Sequence, residues 1–253
     1  MELTDLELEQ FSRQLLLKEV GYEGQLAIKG AHLLIVGLGG LGTPVAMYLA
    51  SAGVGQLSLV DYDQVERSNL PRQILHTPDR IGQDKVASAH QALAQLAPHC
   101  QVHTYPQRLS ETELASLVQT VDGVIDASDN FATRFMINRV CHQHGCPLVS
   151  GAAIRFEGQL TTFDFRHQKN PCYQCLYPDT TQADASCARN GVIAPLVGWI
   201  GAMQALEILK VIIGLPTLSG RLLLLDGLYS DFRSIQLTSD PDCPVCGAGA
   251  SGD

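Results

Sequence analysis

A chain of 253 residues, 45% hydrophobic and 17% charged, holds the material for a packed core and excludes a disordered or fibrous protein. A formal net charge of −9 argues against a nucleic-acid backbone as the main partner and leaves any polyanion to a local basic pocket. The acidic start, MELTDLELEQ, lacks the basic segment and apolar run of a secretory signal, so the eight cysteines read as metal ligands or reduced thiols and the expected compartment is the cytoplasm.

Thr4 and Glu7 have capping-box spacing and predict an amphipathic helix to about Lys18, with Phe11, Leu15 and Leu16 on its apolar face and Arg13 pointing elsewhere. Gly21 and Gly24 break the chain before a short helix near Leu26. The apolar run His32–Val36 predicts a buried parallel strand, followed by the glycine-rich turn Gly37–Gly42 and a helix over Thr43–Ala52. Leu57–Val60 is the next strand, then a long loop and a helix over Gln83–Leu96 ended by Pro98. Gln101–Thr104 predicts a strand, Glu111–Val118 a helix, Gly123–Ala127 a buried strand, Phe131–His144 a helix and Pro147–Ser150 a strand. Strands separated by helices of this length predict a doubly wound, Rossmann-like α/β sheet.

After Gly151 the pattern changes. Gly158–Phe165 alternates like a half-exposed strand, as do Arg221–Leu225 and Phe232–Leu237, predicting an antiparallel C-terminal extension of the same sheet. The longest apolar stretch, Gly191–Leu206, contains Pro195 and Gln204 and falls short of the ~20 residues a bilayer needs, so it predicts a buried helix, running to Ile213, and no membrane span. With no internal repeat or low-complexity linker, one domain over 1–253 is expected: N-terminal helices to 30, a nucleotide-binding half over 31–150 and the extension over 151–253.

Gly37, Gly39 and Gly42 fit G-x-G-x-x-G between a strand and a helix, a setting that aims backbone N–H groups and the positive helix end at phosphate. Asp61, about 20 residues on at the end of the next strand, is placed to accept ribose hydroxyls. Asn69, Arg72 and Gln73 follow in SNLPRQ, Lys85 at a helix start, and Asp129 and Asn130 after the GVIDA strand. In a doubly wound sheet these strand ends face one crevice. Taken singly, Arg72 or Lys85 reads as a solvated surface charge; gathered with an acid, the two suit a triphosphate and its metal ion better than the diphosphate of NAD.

Cys172-Tyr-Gln-Cys175 and Cys243-Pro-Val-Cys246 each present two thiolates from a tight turn, and together they complete a closed tetrahedral zinc shell of structural role, against redox disulfides as the alternative. Cys141-His-Gln-His-Gly-Cys146 reads instead as a helix end, because residues two apart on a helix point away from each other. Cys100 has no evident role. Cys187, beside Arg189 in a polar loop, reads as either a spectator or a reactive thiol.

GLGGLG, DYDQVERSNLPRQ, GQDK, DASDN, VSGAAI and the paired CxxC motifs, spanning the chain from FSRQ to CPVCG, resemble the bacterial adenylyltransferases related to ubiquitin-activating enzymes. VSGAAIRFEGQLTTF is most similar to the branch serving molybdopterin synthase; the sister branch serves thiamine synthesis. The resemblance implies a homodimer that uses ATP and magnesium to adenylate the C-terminal glycine of a small ubiquitin-like sulfur carrier ending in Gly-Gly. It implies that Gly40 and its turn meet the phosphates, Asp61 the ribose, and Asn69, Arg72 and Lys85 the phosphates, with Gln73 and Asn130 completing the nucleotide set. Asp129 would hold magnesium, and Arg13 would reach across the dimer into the partner's site. In the thiamine branch a cysteine in the loop of Cys187 becomes linked to the carrier. The sequence departs from the family at Pro71, where glutamine is usual, and it carries no counterpart of the rhodanese domain of the eukaryotic relatives, from which no built-in sulfur transfer is expected. An NAD(P)-dependent oxidoreductase would share the glycines and Asp61 but leave Arg13, Arg72 and Lys85 without a joint purpose. A zinc-stabilised, non-catalytic binding module for ubiquitin-like proteins is the other alternative.

Overall fold

Short apolar runs bounded by glycine and separated by helices assemble into one eight-stranded mixed sheet, in a computed structural model that describes residues 2–167, 170–177 and 191–247. The elements are α1 (Asp5–Gln10), α2 (Ser12–Leu15), α3 (Gly21–Gly30), β1 (His32–Val36), α4 (Gly42–Ser51), β2 (Gln56–Val60), α5 (Lys85–Leu96), β3 (Gln101–Tyr105), α6 (Glu111–Val118), β4 (Gly123–Asp126), α7 (Phe131–Gln143), β5 (Leu148–Ile154), β6 (Glu157–Phe163), α8 (Tyr173–Leu176), α9 (Ala194–Ile212), β7 (Arg221–Asp226) and β8 (Asp231–Gln236). The sheet order is β3-β2-β1-β4-β5-β6-β7-β8. Pairing is parallel from β3 to β5 and antiparallel from β5 to β8, as the sequence predicts.

Alternate side chains of the central strands feed two cores. Leu33, Ile35, Leu57, Leu59 and Ile125 face the side covered by α4, α5 and α9, packing on Leu49, Leu93 and Ile208. Leu34, Val36, Val124 and Leu148 face the other side and pack on Leu114, Phe135 and Tyr173 of α6, α7 and α8. A strand buried on both faces has no polar side, which is why β1 reads as an uninterrupted apolar run. The register places Val36 beside Val60 and Asp126, so the loops after β1, β2 and β4 leave the sheet at one level.

Three predicted elements differ. The first helix breaks at Phe11, whose ring turns inward, 2% exposed, against the His99 ring at 5.7 Å; Leu16 is left 75% exposed instead of sharing a buried face. β5 runs through Gly151 to Ile154 because that glycine ends no strand: a Cβ there would lie 2.5 Å from Gln204 of α9, so its missing side chain makes room for a helix. α9 starts at Ala194 with Pro195 in its first turn, where no N–H is required, and continues to Ile212. Its length and composition suffice to cross a membrane, but half of it is buried here, against α4 and strands β4, β5 and β6. Its buried Glu207 accepts hydrogen bonds from Thr162 Oγ1 at 2.9 Å and the Leu218 N–H at 2.8 Å and pairs with Lys210, so charge does not end the helix.

The predicted capping box is present, with the Thr4 N–H donating to Glu7 at 2.8 Å and the Glu7 N–H to Thr4 Oγ1 at 3.3 Å. Glu7 also pairs with Lys29 of α3 at 2.7 Å, tying α1 to the body. The Lys29 hydrogen bond, aided by the Thr4 N–H, lowers the Glu7 pKa to about 2. A depressed carboxylate contributes stability above its unfolded value and loses it as pH falls through the folded one. Glu7→Gln is therefore expected to lower the melting temperature at neutral pH, and thermal scans should show the gap from wild type narrowing as pH falls below about 4.5.

Candidate active site

The turn after β1 is packed too closely for a side chain at Gly37, Gly40 or Gly42. A Cβ on Gly37, whose φ is +95°, would lie 2.7 Å from the Ala127 carbonyl oxygen, and one on Gly42 would lie 1.8 Å from that of Gly37. On Gly40 it would meet Val197 of α9 at 2.8 Å. Gly39 has room for one, with only Gln73 Nε2 at 3.7 Å, so glycine there leaves open backbone rather than relieving a clash. The first turn of α4 follows directly and directs its positive end into the same space.

Asp61 sits beside this turn, 8% exposed, accepting the Leu38 N–H at 2.6 Å and the Asp63 N–H at 2.8 Å. Burial raises its pKa, opposed by the Lys85 charge and those two donors. Each carboxylate oxygen keeps a lone pair for a hydroxyl of the kind a ribose presents. Lys85, 4% exposed at the start of α5, places Nζ 2.7 Å from Asp63 and 4.0 Å from Asp61. It is no solvated surface charge: it lies at the crevice with its amine already committed to two acids, one of which, Asp63, no sequence motif singles out.

The loop after β2 folds through a 3₁₀ turn, Arg67–Asn69, that brings Asn69 under Arg72. Arg72 donates from Nη2 to Asn69 Oδ1 at 2.8 Å and from Nη1 to the Ser68 carbonyl at 3.3 Å. The N–H groups of Arg72 and Gln73 both reach the Asn69 carbonyl, so the turn closes around Pro71 without a donor at that position. Gln73 is 3% exposed and its Oε1 has no hydrogen-bond partner among the described residues.

Across the crevice, Asp129 is exposed in the loop after β4. Asn130 caps α7 by accepting the Thr133 N–H at 2.9 Å, which commits the side chain expected to face nucleotide to the helix end. Beneath them lies a polar floor that composition does not disclose. Fully buried Asp126 accepts from the Ser128 N–H and Oγ at 3.0 and 2.6 Å and from Ser150 Oγ at 2.9 Å. Gln204 donates to the Asp126 carbonyl at 2.7 Å, and Arg134 to the Ser128 carbonyl at 2.6 Å. These bonds hold the Ala127–Asn130 loop from below. Serine and glutamine inside predicted apolar elements are the one signal that could have pointed to it.

Arg13 lies elsewhere in its own chain. The neighbouring Gln14 donates to the Ala52 carbonyl at 3.2 Å, just past the far end of α4, a helix of 10 residues and about 15 Å from the glycine turn. Cys187 lies outside the described residues.

The four cysteines of the CxxC pairs converge, their sulfurs all within 4.8 Å of one another. Sγ separations are 4.0 Å for Cys172–Cys175, 3.6 Å for Cys172–Cys243 and 3.2 Å for Cys175–Cys246, bracketing the ~3.8 Å edge of a tetrahedron with metal–sulfur bonds of about 2.3 Å. The Asp240 N–H donates to Cys175 Sγ at 3.4 Å, a bond that suits a thiolate. The donor set fits a closed four-thiolate metal site. Cys141 and Cys146 are buried at the end of α7, and neither joins a metal-ligating group among the described residues. Burial raises the Cys100 thiol to about 12, which leaves it inert.

Residues 11–245 match the model of the ThiF family. The chain is 48% identical over 250 residues to "Adenylyltransferase and sulfurtransferase MOCS3" of Drosophila virilis, a match covering 97% of this chain and 55% of that protein. The Drosophila yakuba protein of the same description is 46% identical over 251 residues, covering 98% and 55% respectively. The chain thus spans about half the length of these curated relatives. Among solved structures, E. coli MccB with MccA-N7isoASN superposes with a TM-score of 0.82 at 22% identity, covering 95% of this chain and 74% of that one, a likeness that shows the fold alone.

Proposed function

The chain belongs to the ThiF family, and from that premise we propose that it is an adenylyltransferase that activates the C-terminal glycine carboxylate of a small ubiquitin-like sulfur carrier with ATP, releasing pyrophosphate. The carrier best supported is the small subunit of molybdopterin synthase, on the likeness of VSGAAIRFEGQLTTF to that branch. The observation that supports the proposal is that the segments carrying the glycine turn, Asp61 with Lys85, Asn69 with Arg72, and Asp129 leave the carboxyl ends of β1, β2 and β4 at one level.

In this reading the N–H groups of Gly39 and Gly40 receive phosphate, Asp61 takes the ribose hydroxyls, and Arg72 and Lys85 face the phosphates, Lys85 exchanging Asp63 for a phosphate oxygen. Magnesium fits Asp129: it is a hard cation that selects oxygen donors, and Asp126 below is sealed by three hydrogen bonds. When bound, the ion neutralises charge building on the phosphates. The carrier carboxylate attacks the α-phosphate, so two anions must meet and no protein nucleophile is needed. The barrier is electrostatic, and fixed cations lower it without reorganising. Threading the carrier's flexible tail to the phosphate contributes the rest.

The same proposal takes residues 1–253 as one catalytic domain, zinc as the ion of the four-cysteine site, and the cytoplasm as the compartment. It also takes the working unit as a homodimer in which Arg13, distant from the crevice of its own chain, completes the partner's site. Arg13→Ala chains mixed with Asp129→Ala chains are then expected to recover about a quarter of wild-type activity, because half the dimers are mixed and each mixed dimer has one intact site. No recovery after subunit exchange, verified by tagged pull-down, overturns the shared site. The activity itself is tested by ATP–pyrophosphate exchange with purified carriers ending in Gly-Gly. Exchange with the molybdopterin-synthase subunit is expected, and none with any such carrier refutes the proposal.

A further inference from the structure

His76 belongs to none of the residue sets assigned above, yet it joins three of them. Its ring is buried, with Nε2 3.2 Å from the Leu38 carbonyl oxygen and Nδ1 2.9 Å from Ser88 Oγ. A carbonyl only accepts, so Nε2 carries the proton, Nδ1 accepts, and the Ser88 hydroxyl donates. Burial, with the charges of Lys85 and Arg80 nearby, keeps the ring's pKa below its ordinary value and the ring neutral. Ser88 lies one helical turn after Lys85 on α5, and Arg80 fixes the Ser88 carbonyl at 2.9 Å. The backbone N–H of His76 donates to the Gln73 carbonyl at 3.0 Å, closing the segment that carries Asn69 and Arg72.

We infer that His76 is a positioning residue for the glycine turn, aiming its N–H groups at the phosphate of a bound nucleotide. The inference rests on the nucleotide-binding reading above. Asp61 takes the Leu38 N–H and His76 takes the Leu38 carbonyl, so the peptide planes on both sides of Leu38 are pinned. In a trans peptide the C=O and the following N–H point in opposite directions. With the Leu38 carbonyl held inward on His76, the Gly39 N–H is turned out toward the crevice, and neither it nor the Gly40 N–H has an acceptor among the described residues. Without the imidazole, the glycine at position 39 leaves this peptide free to rotate.

The test uses the full chain as His76→Phe, which keeps ring volume without a donor, His76→Gln, which restores an N–H donor, and Ser88→Ala, which releases the ring from its far side. ATP–magnesium affinity is measured by calorimetry. The expected result is a loss of about tenfold for His76→Phe and a smaller loss for Ser88→Ala. Recovery of most of the affinity in His76→Gln is expected, and in turnover the effect falls on KM for ATP more than on kcat. Amide hydrogen exchange over residues 38–40 of the nucleotide-free protein is followed in parallel, and faster exchange is expected in His76→Phe. Affinity and exchange both within twofold of wild type in His76→Phe and Ser88→Ala overturn the inference. Should the wild type bind no ATP, the nucleotide reading fails, and unchanged exchange in the variants separately shows that His76 does not hold the turn. If His76→Phe does not fold, Ser88→Ala carries the test alone by the same two measurements.

Discussion

Arg72→Ala and Asp129→Ala are each expected to reduce carrier-driven ATP–pyrophosphate exchange by about 10²–10³-fold while leaving the melting temperature close to that of wild type. The two effects separate because neither side chain supports the core. Among the described residues Arg72, half-buried, bonds within its own turn, to Asn69 and Ser68, and Asp129 is exposed. Arg72 would act on phosphate directly, where charge develops, and Asp129 through the magnesium it would hold. Lys85 is a poorer probe, since removing its amine leaves Asp61 and Asp63 facing each other and unfolding would obscure any catalytic loss. Exchange near the wild-type level in both variants would remove the crevice from the mechanism.

The other large effect is expected from the four-cysteine site. Elemental analysis should find one zinc per chain, and Cys172→Ser or Cys243→Ser should lower the melting temperature by roughly 10 °C. The magnitude follows from the ~10–16 kcal/mol apparent affinity of structural zinc in small peptides. If only about 4 kcal/mol of it is expressed as stability, a chain of this size shifts by about that amount. The chain end has little else to hold it: every residue of β8 is exposed, and beyond it Cys243 is the one fully buried residue among the described ones. Brief digestion should accordingly cut after residue 236 in the cysteine variants and spare the metal-loaded protein. A metal-free protein of undiminished stability would return the cysteines to the disulfide alternative.

The centre of the parallel half was legible because β1, β2 and β4 are largely apolar runs bounded by glycine, a pattern that needs no tertiary information, whereas the edge strand β3 is polar and mostly unburied. The glycine turn and Asp61 were legible for the same local reason. Gly151 misled because a glycine forced by a neighbouring helix looks in sequence like one that ends a strand. Asn130 stands where both a nucleotide contact and an N-cap are legible, and its Oδ1 makes the cap. Asp63, Asp126 and His76 could not be singled out, because their partners Lys85, Ser150 and Leu38 are distant in sequence and meet only when the strands align. Arg13 was distinguishable as polar but not as remote, since distance from the crevice depends on which end of α4 its helix docks against.

The reversal of strand direction at β5 also divides the molecule by its tolerance of change. On the parallel side the loops after β1, β2 and β4 carry the residues proposed to meet nucleotide, so an insertion there would displace a group that the proposed chemistry needs. On the antiparallel side the turn between β7 and β8, with Leu228 and Tyr229 turned to solvent, can lengthen or alter its lettering while the reactive machinery stays untouched. Variation in length is accordingly expected to gather in that outer hairpin rather than in the loops that leave β1, β2 and β4.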